Sequence, residues 1–266
     1  MTVRAPAVAG RFYPGDEATL RAAVDEYLAG AVTTDGAPPK AIVAPHAGYM
    51  YSGAVAASAY AALAECRAVV RRVVLLGPAH RVALDGIAAP TVDAFRTPLG
   101  DVVVDTDARD AIGDLAGVVV DDRPHTGEHS VEVHLPFLQH VLTEFRVLPL
   151  VVGRASSDQV AAVLERLWGG PETLIVVSSD LSHYESNDVA HEHDRRTAAA
   201  ILAGDGSALD GHDACGVYPL RGLLVAARHR HLEPRLLDLR TSGDIAGSTD
   251  RVVGYGAFTF TPASTS

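Results

Sequence analysis

The sequence predicts an α/β protein with a central mixed, largely parallel sheet that is flanked by helices. Four short runs rich in β-branched and aliphatic residues are apolar on both faces, which is typical of strands that helices cover on two sides. These runs are residues 41–44, 73–76, 147–152 and 174–177. Segments whose alanine and leucine content favours helix fill the intervals: residues 53–64, 158–168, 190–202 and 219–228.

The chain is expected to begin with a helix over residues 17–28. Asp16 can cap its first turn, and Leu20 and Val24 recur at helical spacing. Residues 29–39 then break the helix, because glycine, threonine, aspartate and paired prolines predict a loop there. A strand follows at once, so we interpret this loop as a short linker and not as a domain boundary.

The remaining elements complete a predicted single domain over residues 1–266. Residues 102–104 and 252–260 are further predicted strands, the second with alternating side chains. Residues 262–266 are small and polar, and we expect a flexible tail. Hydrophobic residues make up 48% of the chain and charged residues 21%, which leaves enough apolar side chain for a continuous core.

Charge and hydropathy argue against two classes of partner. The 22 basic and 33 acidic side chains give a formal net charge of −11, which would repel a phosphate backbone, so we expect no nucleic-acid binding. The basic stretch over residues 228–235 is interpreted as a solvated helix end. Nowhere do 18 apolar residues run together, and residues 1–15 lack the apolar core of a signal peptide. We therefore expect no membrane partner and a cytoplasmic location.

Histidines follow three of the four predicted central strands within a few residues. His46, His80 and His183 each stand in a loop, and glycine or proline beside them favours short, stiff turns. Ligands of open α/β sheets bind beyond the carboxyl ends of the strands, so these three imidazoles are predicted to meet in one pocket. Any one of them alone is explained better by a local hydrogen bond, but three equivalent placements favour a shared site.

A transition-metal ion is the ligand that this arrangement favours. Neutral imidazole is the commonest protein ligand of such ions. Cys215 is a further candidate, because it lies in a turn into a predicted helix, where a helix start and a nearby cation would stabilise its thiolate. Cys66 lies in an alanine-rich stretch without a neighbouring histidine or glycine, and we interpret it as a packing residue.

The segment over residues 128–136 holds the densest set of ionisable groups. Four of its side chains are candidates for contacts around the site: Glu128, His129, Glu132 and His134. On a helix, several of them would share a face, from which they could orient metal-bound histidines, contact substrate or move protons. An exposed amphipathic turn explains the same pattern equally well.

Two residues near the loop histidines complete the candidate set. Asp180 shares a loop with His183, and its carboxylate is predicted to orient that imidazole for proton transfer if the loop brings the two together. Tyr49 follows His46 by three residues and is grouped with the candidates for substrate contact or support of the ligands. The seven other histidines lack such a loop context and are expected at the surface or in structural roles.

Several motifs carry a resemblance to a known family. In chain order they are Ala9-Gly10-Arg11-Phe12-Tyr13-Pro14, Ala44-Pro45-His46-Ala47-Gly48-Tyr49, Leu76-Gly77-Pro78-Ala79-His80, Arg96-Thr97-Pro98-Leu99, Glu128-His129-Ser130-Val131-Glu132-Val133-His134-Leu135-Pro136, Val177-Ser178-Ser179-Asp180-Leu181-Ser182-His183 and Ala214-Cys215-Gly216. With these motifs the chain resembles, nearly end to end, the Memo (mediator of cell motility) family, whose bacterial members are labelled component B of the AmmeMemoRadiSam system.

The resemblance implies a fold and a metal site. Memo proteins are similar to class III extradiol dioxygenases, non-haem iron enzymes with a LigB-like fold. Carried over to this chain, the family's metal ligands are His46, His80 and Cys215, and His183 takes the acid/base position with Asp180 beside it. The dioxygenases use two histidines and a carboxylate, whereas a thiolate is the third ligand here, which also admits copper.

Three functions remain open from the sequence. The first is an iron- or copper-dependent oxidoreductase that acts on an unidentified small molecule, with His183 moving protons. The second is a non-enzymatic module in which the pocket recognises a peptide or a radical-SAM partner protein. The third is a zinc hydrolase, because zinc accepts the same ligands with an open fourth position.

Overall fold

The computed structural model describes residues 1–32 and 36–263. The described residues form eight α-helices: Glu17–Ala29 (α1), Tyr49–Ala61 (α2), Thr106–Ala111 (α3), Leu135–Val141 (α4), Ser157–Arg166 (α5), Asn187–Leu202 (α6), Val217–His229 (α7) and Ser242–Ala246 (α8). They also form twelve strands: Val3–Arg4 (β1), Ala41–Ala44 (β2), Arg72–Pro78 (β3), Ile87–Ala89 (β4), Ala94–Thr97 (β5), Gly100–Val103 (β6), Val118–Val120 (β7), Arg146–Val152 (β8), Thr173–Ser178 (β9), His183–Glu185 (β10), Leu232–Thr241 (β11) and Val252–Pro262 (β12).

Nine of these strands form one mixed sheet. Its order is β10-β12-β2-β9-β3-β8-β4-β7, and β11 also pairs with β12. The four central strands β2, β9, β3 and β8 are mutually parallel, whereas β12 runs antiparallel to β2 and β4 runs antiparallel to β8. The predicted α/β class with a mixed sheet is confirmed, and its parallel part is the centre.

Helices cover both faces of the sheet. Alternate residues of β3 enter different apolar clusters: Val73 and Leu75 pack on the side of α1, α2 and α4, whereas Val74 and Leu76 pack on the side of α5, α6 and α7. This two-sided burial is the reason why the central strands are apolar on both faces.

Three segments differ from the prediction. Residues 102–104 overlap β6, but β6 belongs to a separate three-stranded sheet with β1 and β5. Helix α2 begins at Tyr49, earlier than predicted. The basic stretch over residues 228–235 is only partly a helix end, because α7 stops at His229 and β11 begins at Leu232.

The predicted loop and tail are described only in part. Residues 33–35 of the loop and 264–266 of the tail lie outside the described residues. Pro262 still belongs to β12, and the backbone N–H of Ala263 donates to His231 O at 3.0 Å, so the tail prediction is wrong for these two residues. In the described part of the chain, no helix combines the length and apolar character that crossing a membrane requires.

Candidate metal centre

The loops after three adjacent parallel strands deliver the predicted histidines to one edge of the sheet. His46 follows β2 and His80 follows β3. The loop over residues 179–182 follows β9, which lies between β2 and β3, and leads to His183 at the start of β10. Because the strands are parallel, their carboxyl ends lie at the same edge. The predicted meeting of the loop histidines is therefore found in the structure.

His46, His80 and Cys215 bring three ligand atoms together. One such atom from each residue lies within 4.8 Å of the other two, and the Cys215 Sγ to His46 Nε2 distance is 3.3 Å. The backbone N–H of Cys215 donates to Asp180 O at 3.2 Å, which ties the cysteine to the loop after β9. Glycine is required at the next position, because a Cβ on Gly216 would collide with the carbonyl oxygen of Ser178.

The hydrogen bonds of His46 define which of its nitrogens is free. Its Nδ1 lies 2.6 Å from Ser178 Oγ, and that hydroxyl donates its own hydrogen to Ser130 O at 2.6 Å. Ser178 Oγ must then accept from His46 Nδ1–H, because a hydroxyl has a single hydrogen to give. The unprotonated Nε2 of His46 is left facing the sulfur of Cys215.

Glu128 orients His80 in the way that Ser178 orients His46, by a hydrogen bond to Nδ1. This fully buried carboxylate accepts from the backbone N–H of His80 at 2.6 Å and from its Nδ1 at 2.9 Å. Burial opposes its ionisation, but hydrogen bonds from the ring and backbone of His80 and from the backbone of Ser130 hold the pKa of Glu128 at about 2. A carboxylate that binds Nδ1–H leaves Nε2 unprotonated, as in histidine ligands of metal sites.

The electrostatics of this cluster fit a bound cation. Burial lowers the pKa of His46 well below its usual value, and the imidazoles of His80 and His129 lower it further. Burial also raises the pKa of the Cys215 thiol, and Asp180 adds to this shift. The imidazoles of His46 and His80 and the sulfur of Cys215 form a nitrogen and sulfur donor set that transition metals accept.

Asp180 supports His46 and not His183, which corrects the predicted pairing. Its Oδ1 accepts from the backbone N–H of His46 at 2.7 Å, and burial raises its pKa to about 7. His183 instead donates Nδ1–H to the carbonyl of Leu181 at 2.7 Å. A carbonyl only accepts, so neutral His183 carries its proton on Nδ1 and keeps Nε2 as a base.

His129 lies against the two histidine ligands. Its ring stacks on His80 with centroids 4.8 Å apart and meets His46 edge-on at 5.4 Å. The ring of Phe12 is also close, with its centroid 4.8 Å from that of His129. His129 is thus part of the site, and its neutral form is favoured because burial lowers its pKa to about 4.

Glu132, His134 and Tyr49 are placed in the protein interior around the site and make other contacts. Glu132 accepts from Arg4 at 2.6 Å, His134 Nδ1 lies 2.8 Å from the Tyr60 hydroxyl, and the Tyr49 hydroxyl donates to Val133 O at 2.7 Å. The predicted shared helix face is wrong, because residues 128–131 form a loop that ends in a turn and Glu132–His134 is a 3-10 helix. The alternative of an exposed turn is also wrong, since Glu128, Glu132 and His134 are buried.

A pocket of about 790 Å³ opens over the cluster and is lined by His46, His80, His129, Asp180 and His183. Sequence reasoning missed most of its other side chains: Phe12, Tyr51, Arg81, Tyr184, Arg251 and Tyr255. A signal existed for Phe12, which lies in a conspicuous aromatic motif near the N-terminus. Arg251 and Tyr255 come from the last strand and the segment before it, where no loop histidine drew attention.

A second group of charged residues lies behind the site. His193 on α6 places Nδ1 3.1 Å from Glu185 and Nε2 2.8 Å from Asp213. Burial opposes its charge, but the two carboxylates raise the pKa of His193 overall. Because Glu185 follows His183 by two residues and Asp213 precedes Cys215 by two, this ion-pair cluster connects both segments to α6.

Comparison with known proteins gives consistent matches over nearly the full length. A model of the Memo-like protein family matches residues 4–259. A MEMO1 family protein of Methanopyrus kandleri is 38% identical over 97% of this chain and 98% of its own length. MEMO1 family proteins of Aeropyrum pernix and Methanothermobacter thermautotrophicus are 36% and 34% identical, over 97% and 95% of this chain and 99% and 98% of their own lengths.

Proposed function

Because the chain belongs to the Memo family, we propose that it holds one transition-metal ion on His46, His80 and Cys215 and acts as a non-haem iron- or copper-dependent oxidoreductase. The observation that supports the proposal most strongly is that the potential ligand atoms of these three residues lie together. Hydrogen bonds to Ser178 and Glu128 occupy Nδ1 of the two histidines, which leaves both Nε2 atoms free beside a buried sulfur.

The donor set favours a redox metal that tolerates sulfur. His46, His80 and Cys215 would hold the ion with fewer protein ligands than such ions usually take, and a soft sulfur ligand suits copper as well as iron. When bound, the ion would supply a Lewis-acid and redox centre for a small substrate. Zinc fits the same three ligands and is the outcome that would turn the proposal toward hydrolysis.

The surrounding residues of the chain have separable roles in this proposal. His183, with Nε2 unprotonated and its ring on the pocket wall, accepts and returns a substrate proton. Glu128 fixes the ring of His80, and Asp180 fixes the backbone of His46. His129 presents a second neutral imidazole to the same space and closes one side of the pocket.

Elemental analysis tests the metal part of the proposal. Protein purified without added metal is expected to contain close to one equivalent of iron or copper, and His46→Ala and Cys215→Ala are expected to contain almost none. Cys66→Ala is the matched control, because Cys66 is buried beside Leu63 and lies outside the candidate metal groups. Equal metal content in wild type and both ligand variants would contradict the proposal.

Oxygen consumption tests the chemical part. With catechols and other small reductants, turnover is expected in the metal-loaded wild type and a loss of about 100-fold or more in His183→Ala, because general acid/base catalysis contributes that much. Metal content should stay unchanged in this variant. Stoichiometric metal with tight binding of a protein partner and no turnover would instead favour the recognition module.

A further inference from the structure

The pocket over the metal centre has a charge unlike that of the whole chain. Acidic side chains outnumber basic ones by 33 to 22 in the sequence, yet the pocket wall carries two arginines, Arg81 and Arg251, and one carboxylate, Asp180. Asp180 accepts from the backbone N–H groups of His46 and Ala47, so its charge is already engaged. The pocket mouth therefore attracts anions in a protein that otherwise repels them.

The two arginines are available to a ligand. Both are exposed, and neither forms an ion pair with a carboxylate within residues 1–32 and 36–263. The guanidinium carbon of Arg251 lies 5.1 Å from the ring centroid of Tyr184, which is a cation–π distance. An aromatic contact orients a guanidinium and leaves its N–H donors free for a planar oxyanion.

Tyr184 itself has an unusual backbone. Its φ is 64°, in the left-handed region that bulky residues avoid, and it lies where the register of β10 against β12 shifts. Such strain costs free energy, but the tyrosine is 65% exposed and recovers little of it by burial. Glycine would relax this position, but it would remove the ring that contacts Arg251 and His183 on the pocket wall.

The ring of Tyr184 also lies next to the proposed base. Its centroid is 5.7 Å from that of His183, and both rings line the pocket. A ligand stacked on Tyr184 would lie between Arg251 at the mouth and His183 toward the metal ligands.

We propose that the substrate of this pocket is a small planar organic anion, whose oxyanion group binds Arg251 and Arg81 and whose ring packs against Tyr184. The inference deepens the proposed function, and it rests on that function for the reaction that follows binding. Binding of the anion at the pocket mouth, which we call the rim site, needs no metal. Experiments can therefore separate this inference from the proposed function. Tyr184 and Arg251 then act as specificity-determining residues.

Binding of benzoate and of its neutral analogue benzamide tests the charge requirement. Ligand-observed NMR on the metal-free full chain is expected to give at least about tenfold tighter binding of benzoate, and a loss of about tenfold in Arg251→Gln, as for one charge-assisted contact. Arg196→Gln is the matched control, since Arg196 is exposed and lies outside the pocket. Equal affinity for the two probes, or unchanged benzoate binding in Arg251→Gln, would overturn the inference.

Glycine substitution tests the role of the strained tyrosine. Tyr184→Gly is expected to keep or raise the thermal midpoint and to weaken benzoate binding severalfold, because strain and the ring are removed together. His231→Gly is the matched control: His231 also has a positive φ, 53°, but lies outside the pocket, so only stability should rise. Inorganic phosphate that competes as well as benzoate would overturn the requirement for a ring.

Metal binding is measured on the same variants to separate the two proposals. Arg251→Gln and Tyr184→Gly are expected to bind metal as wild type does. If wild type binds no metal but still discriminates benzoate from benzamide, the proposed function fails and the rim site remains. If metal binds as proposed and the probes are not discriminated, only the rim site fails.

Discussion

Two clusters built around histidines have opposite electrostatics in this protein: the candidate metal centre and the ion-pair cluster of His193. His46 and His129 lie among other imidazoles, and burial with mutual repulsion lowers their pKa values. His193 lies between Glu185 and Asp213, and these carboxylates raise its pKa against the opposing effect of burial. The first cluster offers free lone pairs, and the second holds a cation that two carboxylates already pair. The charge environment of the histidines, and not their number, therefore marks the first cluster as the candidate metal centre.

Hydrogen bonding explains why only one cluster suits a metal. In the site, Nδ1–H of His46 and His80 is bound to Ser178 and Glu128, so Nε2 of each ring stays free. Both ring nitrogens of His193 face carboxylate oxygens, so its protonated form donates twice and has no lone pair left. We expect substitutions in the two clusters to separate metal affinity from stability.

The largest expected effect is on metal affinity. His80→Ala should weaken metal binding by at least about 1000-fold, or about 4 kcal/mol, because one of three protein ligands is removed. His193→Ala should change affinity by less than about threefold. Competition with a chelator of known affinity measures both. Comparable losses in the two variants would remove the distinction between the clusters.

Glu128 and Glu132, two buried glutamates in the segment over residues 128–136, allow metal affinity and stability to be separated more finely. Glu128→Gln should weaken metal binding by about 10- to 100-fold, because the carboxylate that orients His80 is lost. Glu132→Gln is the matched control: it breaks the buried pair with Arg4 and should cost about 3 kcal/mol of unfolding free energy. Metal affinity per folded molecule should stay near wild type in Glu132→Gln, and a loss as large as that of Glu128→Gln would contradict this division.

The pH dependence of stability should follow the buried, neutral histidines. Burial lowers the pKa of His125 to about 4 and that of His134 to about 3, so below pH 6.5 the unfolded chain binds protons that the folded one does not. Their contribution is complete above pH 6.5 and is lost as the pH falls toward these values. His125 and His134 should together contribute about 2 kcal/mol to the fall in unfolding free energy of the metal-free protein between pH 6.5 and 5.5, in addition to what His46 and His129 contribute. Urea unfolding measures this fall, and His125→Gln should reduce it by about 1 kcal/mol. A flat profile, or one unchanged in His125→Gln, would contradict this assignment.

His193 should give the smallest effect, with the opposite sign. Its raised pKa means that the folded state binds the proton more tightly, so its contribution is present below pH 6.5 and lost as the pH rises through its folded pKa. His193→Gln should therefore cost about 1 kcal/mol at pH 6 and clearly less at pH 9. Thermal unfolding at the two pH values measures the difference, and an equal cost at both would show that charge is not involved.

The sequence was sufficient to predict the sheet and the meeting of the loop histidines. Two-sided apolar runs define β2, β3, β8 and β9, and histidines that follow adjacent parallel strands have little choice of location. The N-terminal cap was also local enough to predict, since Asp16 accepts from the backbone N–H of Thr19. These features depend on neighbours in sequence or on one rule of sheet geometry.

Hydrogen bonds and ion pairs between residues distant in sequence could not be predicted from local patterns. Asp180 turns to His46 because the loop after β9 is held by the far C-terminal strand, where the N–H of Leu181 donates to Gly254 O at 2.8 Å. Glycine is needed there, since a Cβ on Gly254 would collide with buried Asp194. The pairing of Glu132 with Arg4 joins residues 128 positions apart. No local pattern encodes such contacts.

The central claim is that His46, His80 and Cys215 hold one metal ion, and a cobalt(II) titration of the metal-free protein tests it most directly. We expect a thiolate-to-cobalt charge-transfer absorption that saturates at one equivalent, persists in Cys66→Ala and disappears in Cys215→Ser. Absence of the band in wild type, or its persistence in Cys215→Ser, would contradict the claim.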